Sequence, residues 1–306
     1  MQSTFFQTLT LALMKARVPS NRIASLLREP IQSNEFSKLN HTNANALLSR
    51  HSSDLPVLSQ SDWDDAKWFF DKNKASGVSM LCINDDRYPK YLKVIKDAPP
   101  ILFIRGNQNI FSELPGVAIV GAREATEPGK IIAHRVAKFM AENNWPVISG
   151  LALGIDAAAH QGAIEGNGKT IAVLAGGLDK PNPVANAELG FKILETGGAW
   201  ISEHPVGAPP RKENFVPRNR IQVGLSAGSI IVEAKIKSGS LTQAKFCVGQ
   251  NRPLFAVVPH EKSNPLRLNC EGTIHMVSEF GAIPITTRDD YPKVLSMLIR
   301  EKNIIS

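Results

Sequence analysis

The chain has 306 residues, of which 43% are hydrophobic, and a formal net charge of +7. That length accommodates one large or two ordinary domains, and the hydrophobic content is enough for a sizeable core. No apolar run approaches the length of a membrane-spanning helix, and the mildly apolar opening lacks the basic residues that precede the apolar part of a secretion signal. The three cysteines are far apart and have no metal-ligand spacing, so we expect a reduced, cytoplasmic protein without metal or membrane contact.

The first part of the chain, residues 1–72, has apolar residues at helical spacing and is predicted to form a small helical domain. We expect this domain to serve packing or protein interaction rather than nucleic-acid binding. Residues 73–306 are predicted to form the main domain. Within it, residues 73–115 form a bridging extension that has a predicted strand at 101–104.

From residue 116 onward, short apolar strands alternate with helical stretches. The predicted strands are 117–120, 146–149, 170–175, 199–202, 229–233 and 254–258, and a last helix is predicted at about 289–300. Near-continuous apolar strands separated by helices are typical of a parallel sheet covered on both faces. We therefore predict an α/β fold with a Rossmann-like, mostly parallel sheet. Ligands of such sheets bind beyond the carboxyl ends of the strands, where the strand order switches.

Two glycine-rich turns follow predicted strands. One strand ends at Ser149-Gly150, ahead of a helix that is predicted to begin near Asp156, and another ends at Gly121, close to Arg123. Glycines let the backbone approach a ligand closely, and the free N–H groups at a helix start attract an anion. The planar fork of an arginine suits a phosphate or a base edge. Because no acid precedes Asp156 in its turn, we predict that both turns recognise phosphate.

A basic segment lies further along the chain, at residues 211–220, with four basic groups and one acid. The net positive charge favours a polyanionic partner, although charge alone fits a solvated loop equally well. The residue types in the segment favour nucleic acid. Arg218 and Arg220 can clamp phosphates, and Phe215 can stack on an unpaired base, an interaction worth ~1–3 kcal/mol.

Four motifs occur in a specific order. They are Val117-Ala-Ile-Val-Gly-Ala-Arg123, Ser149-Gly-Leu-Ala-Leu-Gly-Ile-Asp156, Asn214-Phe-Val-Pro-Arg-Asn-Arg-Ile221 and Ser238-Gly-Ser-Leu-Thr242. In sequence and order they resemble the DNA-processing protein A (DprA/Smf) family, over roughly residues 75–290. The first 70 residues match that family only loosely.

The resemblance implies a non-enzymatic protein that binds single-stranded DNA without a cofactor. It also implies protection of single strands, loading of a RecA-type recombinase onto them in natural transformation or related recombination, and a homodimer formed through the sheet domain. The DNA- or phosphate-binding residues that we expect are Gly121, Arg123, Ser149, Gly150, Lys180, Asn214, Phe215, Arg218, Asn219, Arg220 and Ser240.

Nucleotide-dependent functions are less well supported by the sequence. Residues 163–170 match a relaxed P-loop pattern, but the glycines follow a helix and precede a strand, which is the reverse of the P-loop order. The turn at Gly121 lacks the three-glycine spacing of a dinucleotide site. Asp156 and His160 are four positions apart on one predicted helix, and we expect a structural pair rather than a catalytic base.

Two other functions stay open at this point. One is a Rossmann-like nucleotide hydrolase of the lysine-decarboxylase-like type, with Glu233 as its acid, although the glycine run of that family is missing. The other is a protein adaptor whose DNA pocket has decayed. Departures from the family pattern bear on the second possibility: Asn182 replaces a usual aromatic residue, Val184 a usual basic one, and Pro128 a second aromatic one.

Overall fold

The computed structural model describes residues 2–29 and 40–305 of the chain. Residues 30–39, which belong to the predicted N-terminal helical domain, lie outside the described residues. Four helices precede the sheet: α1 (Gln2–Lys15), α2 (Ser20–Arg28), α3 (His41–His51) and α4 (Gln60–Ala75). Helix α4 begins at a capping box in which Ser59 and Asp62 bond each other's backbone N–H groups. It ends three residues beyond the predicted domain boundary at 72.

Within the described residues, nine strands form one sheet. They are β1 (Ser79–Cys82), β2 (Ile101–Gly106), β3 (Gly116–Val120), β4 (Val147–Ser149), β5 (Thr170–Val173), β6 (Ala199–Ser202), β7 (Ser226–Ile231), β8 (Leu254–Val257) and β9 (Ile283–Ile285). The spatial order is β1-β2-β6-β5-β4-β3-β7-β8-β9. Strands β3 to β9 are parallel, and only the pairs β1–β2 and β2–β6 are antiparallel. The prediction of a mostly parallel Rossmann-like sheet is confirmed.

The remaining helices connect or follow these strands. They are α5 (Lys90–Lys93), α6 (Glu127–Glu142), α7 (Ile155–Glu165), α8 (Ala187–Glu195), α9 (Lys212–Phe215), α10 (Asn219–Gly224), α11 (Gly239–Gly249), α12 (Glu271–Phe280) and α13 (Tyr291–Ile305). Helix α13 starts two residues later than predicted and extends five residues further.

Helices cover the sheet on both faces because neighbouring residues of a strand point to opposite sides. Val147 packs into one buried cluster, together with Val117 and Ile119 of β3 and the apolar side of α6. The next residue, Ile148, packs into a second cluster on the other face. That second cluster also contains Phe5 of α1, so the N-terminal helices share a core with the sheet.

The strand order reverses at β3. From β3 the chain proceeds outward through β4, β5 and β6, and it then returns to place β7 on the other side of β3. Helices leave both neighbours of β3 at their carboxyl ends, so a crevice opens there between the connections. The segments that meet at this crevice are the turn after β3, the start of α7, and the segments from α9 to α11.

Candidate nucleic-acid interface

A cavity of about 500 Å³ lies at this switch in strand order. Its lining residues come from the turn after β3, the start of α7, helices α9 and α10, and the start of α11. They are Val120, Gly121, Ala122, Arg123, Ala152, Asp156, Lys212, Phe215, Val216, Arg218, Asn219, Gln222, Ser238, Gly239 and Ser240. The structure therefore brings together six of the predicted site residues: Gly121, Arg123, Phe215, Arg218, Asn219 and Ser240.

At the mouth of the cavity, Arg123 lies against an aromatic ring. Its guanidinium carbon is 5.2 Å from the centroid of the Phe215 ring, a cation–π contact. Arg123 is exposed and Phe215 is half-buried. Gly154 is packed so closely against the turn that a Cβ there would lie 2.5 Å from the carbonyl oxygen of Arg123, which limits movement of the arginine backbone. The mouth thus offers a cation and a ring face from two different connections.

The glycine turns after β3 and β4 are closed by a carboxylate of the chain itself. Asp156 is buried, and its Oδ2 accepts a hydrogen bond of 3.0 Å from the N–H of Gly150. Backbone bonds from Ala152 and Gly121 also reach this carboxyl group. Burial raises the pKa of Asp156, while the Arg218 guanidinium and these N–H bonds act against that rise. The N–H groups of Gly121 and Gly150 are therefore occupied, contrary to the expectation that they are free for a phosphate.

Arg218 forms part of the cavity wall and is buried. Its Nη1 donates to the carbonyl oxygen of Val173 at 2.5 Å, and a Cβ on Gly150 would lie 1.8 Å from the same nitrogen. A side chain at position 150 would therefore displace the Arg218 guanidinium, which occupies that space. Burial lowers the pKa of Arg218 to about 10, and the nearby Asp156 carboxylate acts against that shift. The Nε atom has no hydrogen-bond partner among the described residues.

Arg220, two positions further on, has a different environment and does not line the cavity. Its two terminal nitrogens donate to the two carboxylate oxygens of Glu203, at 2.8 and 2.6 Å, and its Nε donates to the carbonyl oxygen of Asp97 at 2.9 Å. Hydrogen bonding to Arg220 lowers the pKa of Glu203 despite the burial that opposes it. All three nitrogens of Arg220 are engaged, so the structure assigns this residue to the core.

Four further predicted residues lie outside the cavity lining. The Ser149 hydroxyl is buried and donates to the carbonyl oxygen of Ile119 at 2.7 Å. Gly150 lies beneath the Arg218 guanidinium. Asn214 donates to the carbonyl oxygen of Ala175 at 3.3 Å, and Lys180 is exposed beyond the cavity.

The start of helix α11 forms the remaining wall and presents open donors. Ser238 is the N-cap residue, yet its side chain makes no capping bond, and its buried Oγ has no partner among the described residues. Gly239 and Ser240 occupy the first turn, where backbone N–H groups have no partner within a helix. The first turn of α11 therefore has the anion-binding geometry that was expected of the glycine turns, whose N–H groups bond the Asp156 carboxylate instead.

Sequence reasoning missed several lining residues. Lys212 belongs to the basic segment, but charge alone did not distinguish it from its exposed neighbours. Gln222 is buried, and its Nε2 has no partner among the described residues. It follows Arg218 by four positions, and residues at that spacing share a helix face, which is the signal that could have identified it.

The residues considered for catalysis have structural partners. The His160 Nδ1 lies 2.7 Å from the Thr170 hydroxyl, which donates to the carbonyl oxygen of Val147. Burial lowers the pKa of His160 to about 3, so the ring is neutral at ordinary pH. Glu233 accepts hydrogen bonds from the backbone and side chain of Thr126 and from the N–H of Asn269.

Neither a membrane-spanning helix nor a metal-binding cluster is present among the described residues. No helix in residues 2–29 and 40–305 is both long and apolar enough to cross a bilayer. In the same part of the chain, no group of three or more His, Cys, Asp or Glu side chains could hold a metal ion.

Comparison with known proteins identifies the family. The family model described as DNA recombination-mediator protein A matches residues 79–296. The DNA processing protein DprA of Bacillus subtilis is 38% identical over 184 residues, which are 60% of this chain and 62% of that protein. The chain spans about three fifths of the length of the first curated relatives that it matches. The chain belongs to the DNA recombination-mediator protein A family.

Two solved structures are similar over most of the chain. DNA processing protein A from Streptococcus pneumoniae has a TM-score of 0.64 and 31% identity, covering 89% of this chain and 96% of that one. The protein from Helicobacter pylori has a TM-score of 0.63 and 28% identity, covering 72% of this chain and 96% of that one. The description of the H. pylori structure concerns its single-stranded DNA binding mode.

Proposed function

We propose that this member of the DNA recombination-mediator protein A family binds single-stranded DNA in the cavity at the switch in strand order. The observation that carries the proposal is the stacked pair at the cavity mouth, with Arg123 5.2 Å from the Phe215 ring centroid, opposite the open first turn of α11. A ring beside cations is how proteins hold single strands without reading sequence.

Each part of a nucleotide has a matching part of the cavity. The ring of Phe215 stacks on an unpaired base, and Arg123 and Lys212 bind the adjacent phosphates. The N–H groups of Gly239 and Ser240 add donors at a helix start, where negative charge is favoured. Among the described residues that line the cavity, no helix carries a row of basic side chains suited to a major groove. We therefore expect tighter binding of single strands than of duplex, with little sequence preference.

The finer role follows from the family rather than from the cavity. We propose that the chain protects single strands and loads a RecA-type recombinase onto them, in natural transformation or related recombination, as a cytoplasmic homodimer. The family description as a recombination mediator supports this proposal. We also propose that the role is not enzymatic, because Asp156, His160 and Glu233 are engaged in structural contacts.

The test is binding of a labelled thymidine oligonucleotide, followed by fluorescence anisotropy at fixed salt. The parent protein should bind the single strand more tightly than a blunt duplex of equal length. Arg123→Ala should weaken single-strand binding about tenfold or more, because charge-assisted bonds contribute ~1.5–3 kcal/mol each. Arg300→Ala, which removes an exposed arginine on α13, is the matched control. Equal binding of duplex, or an Arg123→Ala protein that binds like the parent while folded, would contradict the proposal.

A further inference from the structure

Two cation–aromatic pairs stand at the two ends of one surface segment, residues 205–215. Arg123 pairs with Phe215 at one end, and Lys72 of helix α4 lies 4.9 Å from the centroid of the Trp68 ring at the other. The described residues contain three more such pairs, formed by Trp200, Tyr91 and Trp145, and all three of those rings are buried. Within residues 2–29 and 40–305, only the two pairs that flank this segment combine a cation with a ring that a ligand can reach.

Trp68 is unusually open for a tryptophan. It is 56% exposed, while Trp63, Trp145 and Trp200 are each at most 7% exposed. Its ring meets the Phe69 ring edge-on at 5.0 Å, so the indole is oriented by a neighbour on its own helix. Exposed indoles of fixed orientation are suited to stacking on an unpaired base.

Helix α4 is joined directly to the segment that leads into the cavity. The buried Asn73 accepts a hydrogen bond of 2.9 Å from the N–H of Val206. The Lys72 ammonium nitrogen lies 3.3 Å from the position that a Cβ on Gly207 would take. The N–H of Gly207 donates to Asp179 at 3.0 Å, which places Lys180 at the same corner of the surface.

Basic side chains continue from this corner to the cavity. Arg211 and Lys212 follow Gly207 within the same segment, and Lys212 lines the cavity. The five-residue step from Gly207 to Lys212 spans at most about 18 Å of extended chain. Two acids of α4, Asp64 and Asp71, share the helix face of Trp68. Phosphate is therefore disfavoured on the indole itself and favoured at the lysines beside it.

We propose that the single strand bound in the cavity continues along residues 205–212 and ends on a second stacking platform formed by Trp68 and Lys72, with Lys180 contacting a phosphate between the two. This inference rests on the proposed function and extends it to the N-terminal helices. In each pair, the ring stacks on a base and the cation binds the neighbouring phosphate. The path also includes Lys180, a site residue predicted from the sequence that does not line the cavity.

The test uses the tryptophan fluorescence of the whole protein titrated with thymidine oligonucleotides of 4 and 15 residues. Because the other tryptophans are buried, a base stacked on Trp68 should quench the accessible emission. The 15-mer should quench it, and Trp68→Phe should abolish that quenching while keeping the affinity close to that of the parent. Trp68→Ala should weaken 15-mer binding about fivefold or more and leave 4-mer binding unchanged. Lys180→Ala should weaken only the 15-mer, by about two- to threefold.

Controls separate this inference from the proposed function. Ile131→Ala removes an exposed apolar side chain on α6, away from every tryptophan contact that the structure shows, and should bind both oligonucleotides like the parent. If Arg123→Ala lowers the affinity for both oligonucleotides while Trp68→Ala changes neither affinity, the cavity is the binding site and the extended path is wrong. If no oligonucleotide binds at all, both proposals fall. A Trp68 emission that changes with protein concentration alone, and does not respond to DNA, would show a self-association surface and overturn the inference.

Discussion

The two sides of the cavity use the same kind of local structure in opposite ways. On one side, the glycine turns after β3 and β4 direct their N–H groups at the Asp156 carboxylate, and Arg218 fills the space over Gly150. On the other side, the Ser238 hydroxyl has no partner among the described residues, and Gly239 and Ser240 occupy the first turn of α11, where backbone N–H groups have no partner within the helix. The first side holds an internal anion and the second is open to an external one.

This difference teaches that a glycine-rich turn at the end of a strand does not by itself mark a ligand site. The donors of such a turn have to be satisfied, and a buried carboxylate of the same chain can satisfy them. The same distinction separates Arg220, whose nitrogens are all engaged within the protein, from Arg123, which faces the cavity mouth. Substitutions and changes of pH and salt can therefore distinguish residues of the closed, structural part from residues of the open, binding part.

The largest effect is expected for Arg220. Replacing Arg220 with alanine leaves the Glu203 carboxylate buried without its partner, and removal of one member of a buried pair costs about 3–5 kcal/mol of unfolding free energy. Urea unfolding at neutral pH measures this loss. Arg211→Ala, an exposed arginine of the same segment, should unfold like the parent. An Arg220→Ala protein of unchanged stability that binds DNA poorly would move Arg220 into the binding part.

A smaller effect is expected for Gly150. An added Cβ would lie 1.8 Å from Arg218 Nη1, so Gly150→Ala forces the guanidinium off its carbonyl partner. Overpacking of this kind costs about 1–3 kcal/mol. Gly239→Ala is the matched control, because a Cβ there meets nothing within 4 Å. Equal stability of the two variants, measured by thermal unfolding, would show that the glycine turn is less tightly filled than the structure indicates.

The dependence of stability on pH provides a third test. The folded pKa of His160 is lowered to about 3, so its contribution to stability is fully present above its ordinary value near 6.5 and is lost as the pH falls from there toward 3. The loss approaches about 1.4 kcal/mol per pH unit at most. Asp156 acts in the opposite sense, because its raised pKa favours the folded state at low pH.

His160→Asn should therefore flatten the acid side of the stability profile, since an amide nitrogen can still donate to the Thr170 hydroxyl but does not ionise. Unfolding in denaturant between pH 7 and 5 measures the change. A variant whose stability falls with pH as steeply as that of the parent would show that other groups carry the dependence.

The smallest effect concerns salt. Lys212 lines the open side of the cavity, and a lysine that contacts one phosphate of a single strand contributes about −0.7 to the slope of log affinity against log salt. Lys212→Ala should reduce the magnitude of the slope by about that amount. Lys293→Ala, an exposed lysine on α13, should leave the slope unchanged. An unchanged slope for Lys212→Ala would place the strand elsewhere in the cavity.

Much of the fold could be predicted from the sequence because the central strands are apolar and are separated by helical stretches. The strands that were missed lie at the two edges of the sheet. Strand β1 is four residues long, and β9 has three residues with Pro284 in the middle. Proline is tolerated at sheet edges but weakens a strand pattern, so neither edge strand carries a clear signal.

The candidate site was predictable only in part, for a different reason. Arg123 is on the cavity lining because it follows β3, whose position the sheet determines, whereas Phe215 reaches the lining as the last residue of the short helix α9. Arg218 and Arg220 look alike in sequence, and only their distant partners, Val173 and Glu203, separate their roles. The sequence shows that no acid precedes Asp156 in its turn. It does not indicate that the Asp156 carboxylate itself accepts a hydrogen bond from the N–H of Gly150.

The most direct test of the contrast between the two sides is the change in backbone amide signals when a thymidine oligonucleotide binds to ¹⁵N-labelled protein. If the first turn of α11 is the open side, the amide resonances of Gly239 and Ser240 should shift on binding, as donors that gain a phosphate partner. The amide of Gly150 should stay in place, because its bond to Asp156 is kept. A large shift at Gly150 with none at Gly239 and Ser240 would contradict the account, because it would show that the phosphate binds at the glycine turn.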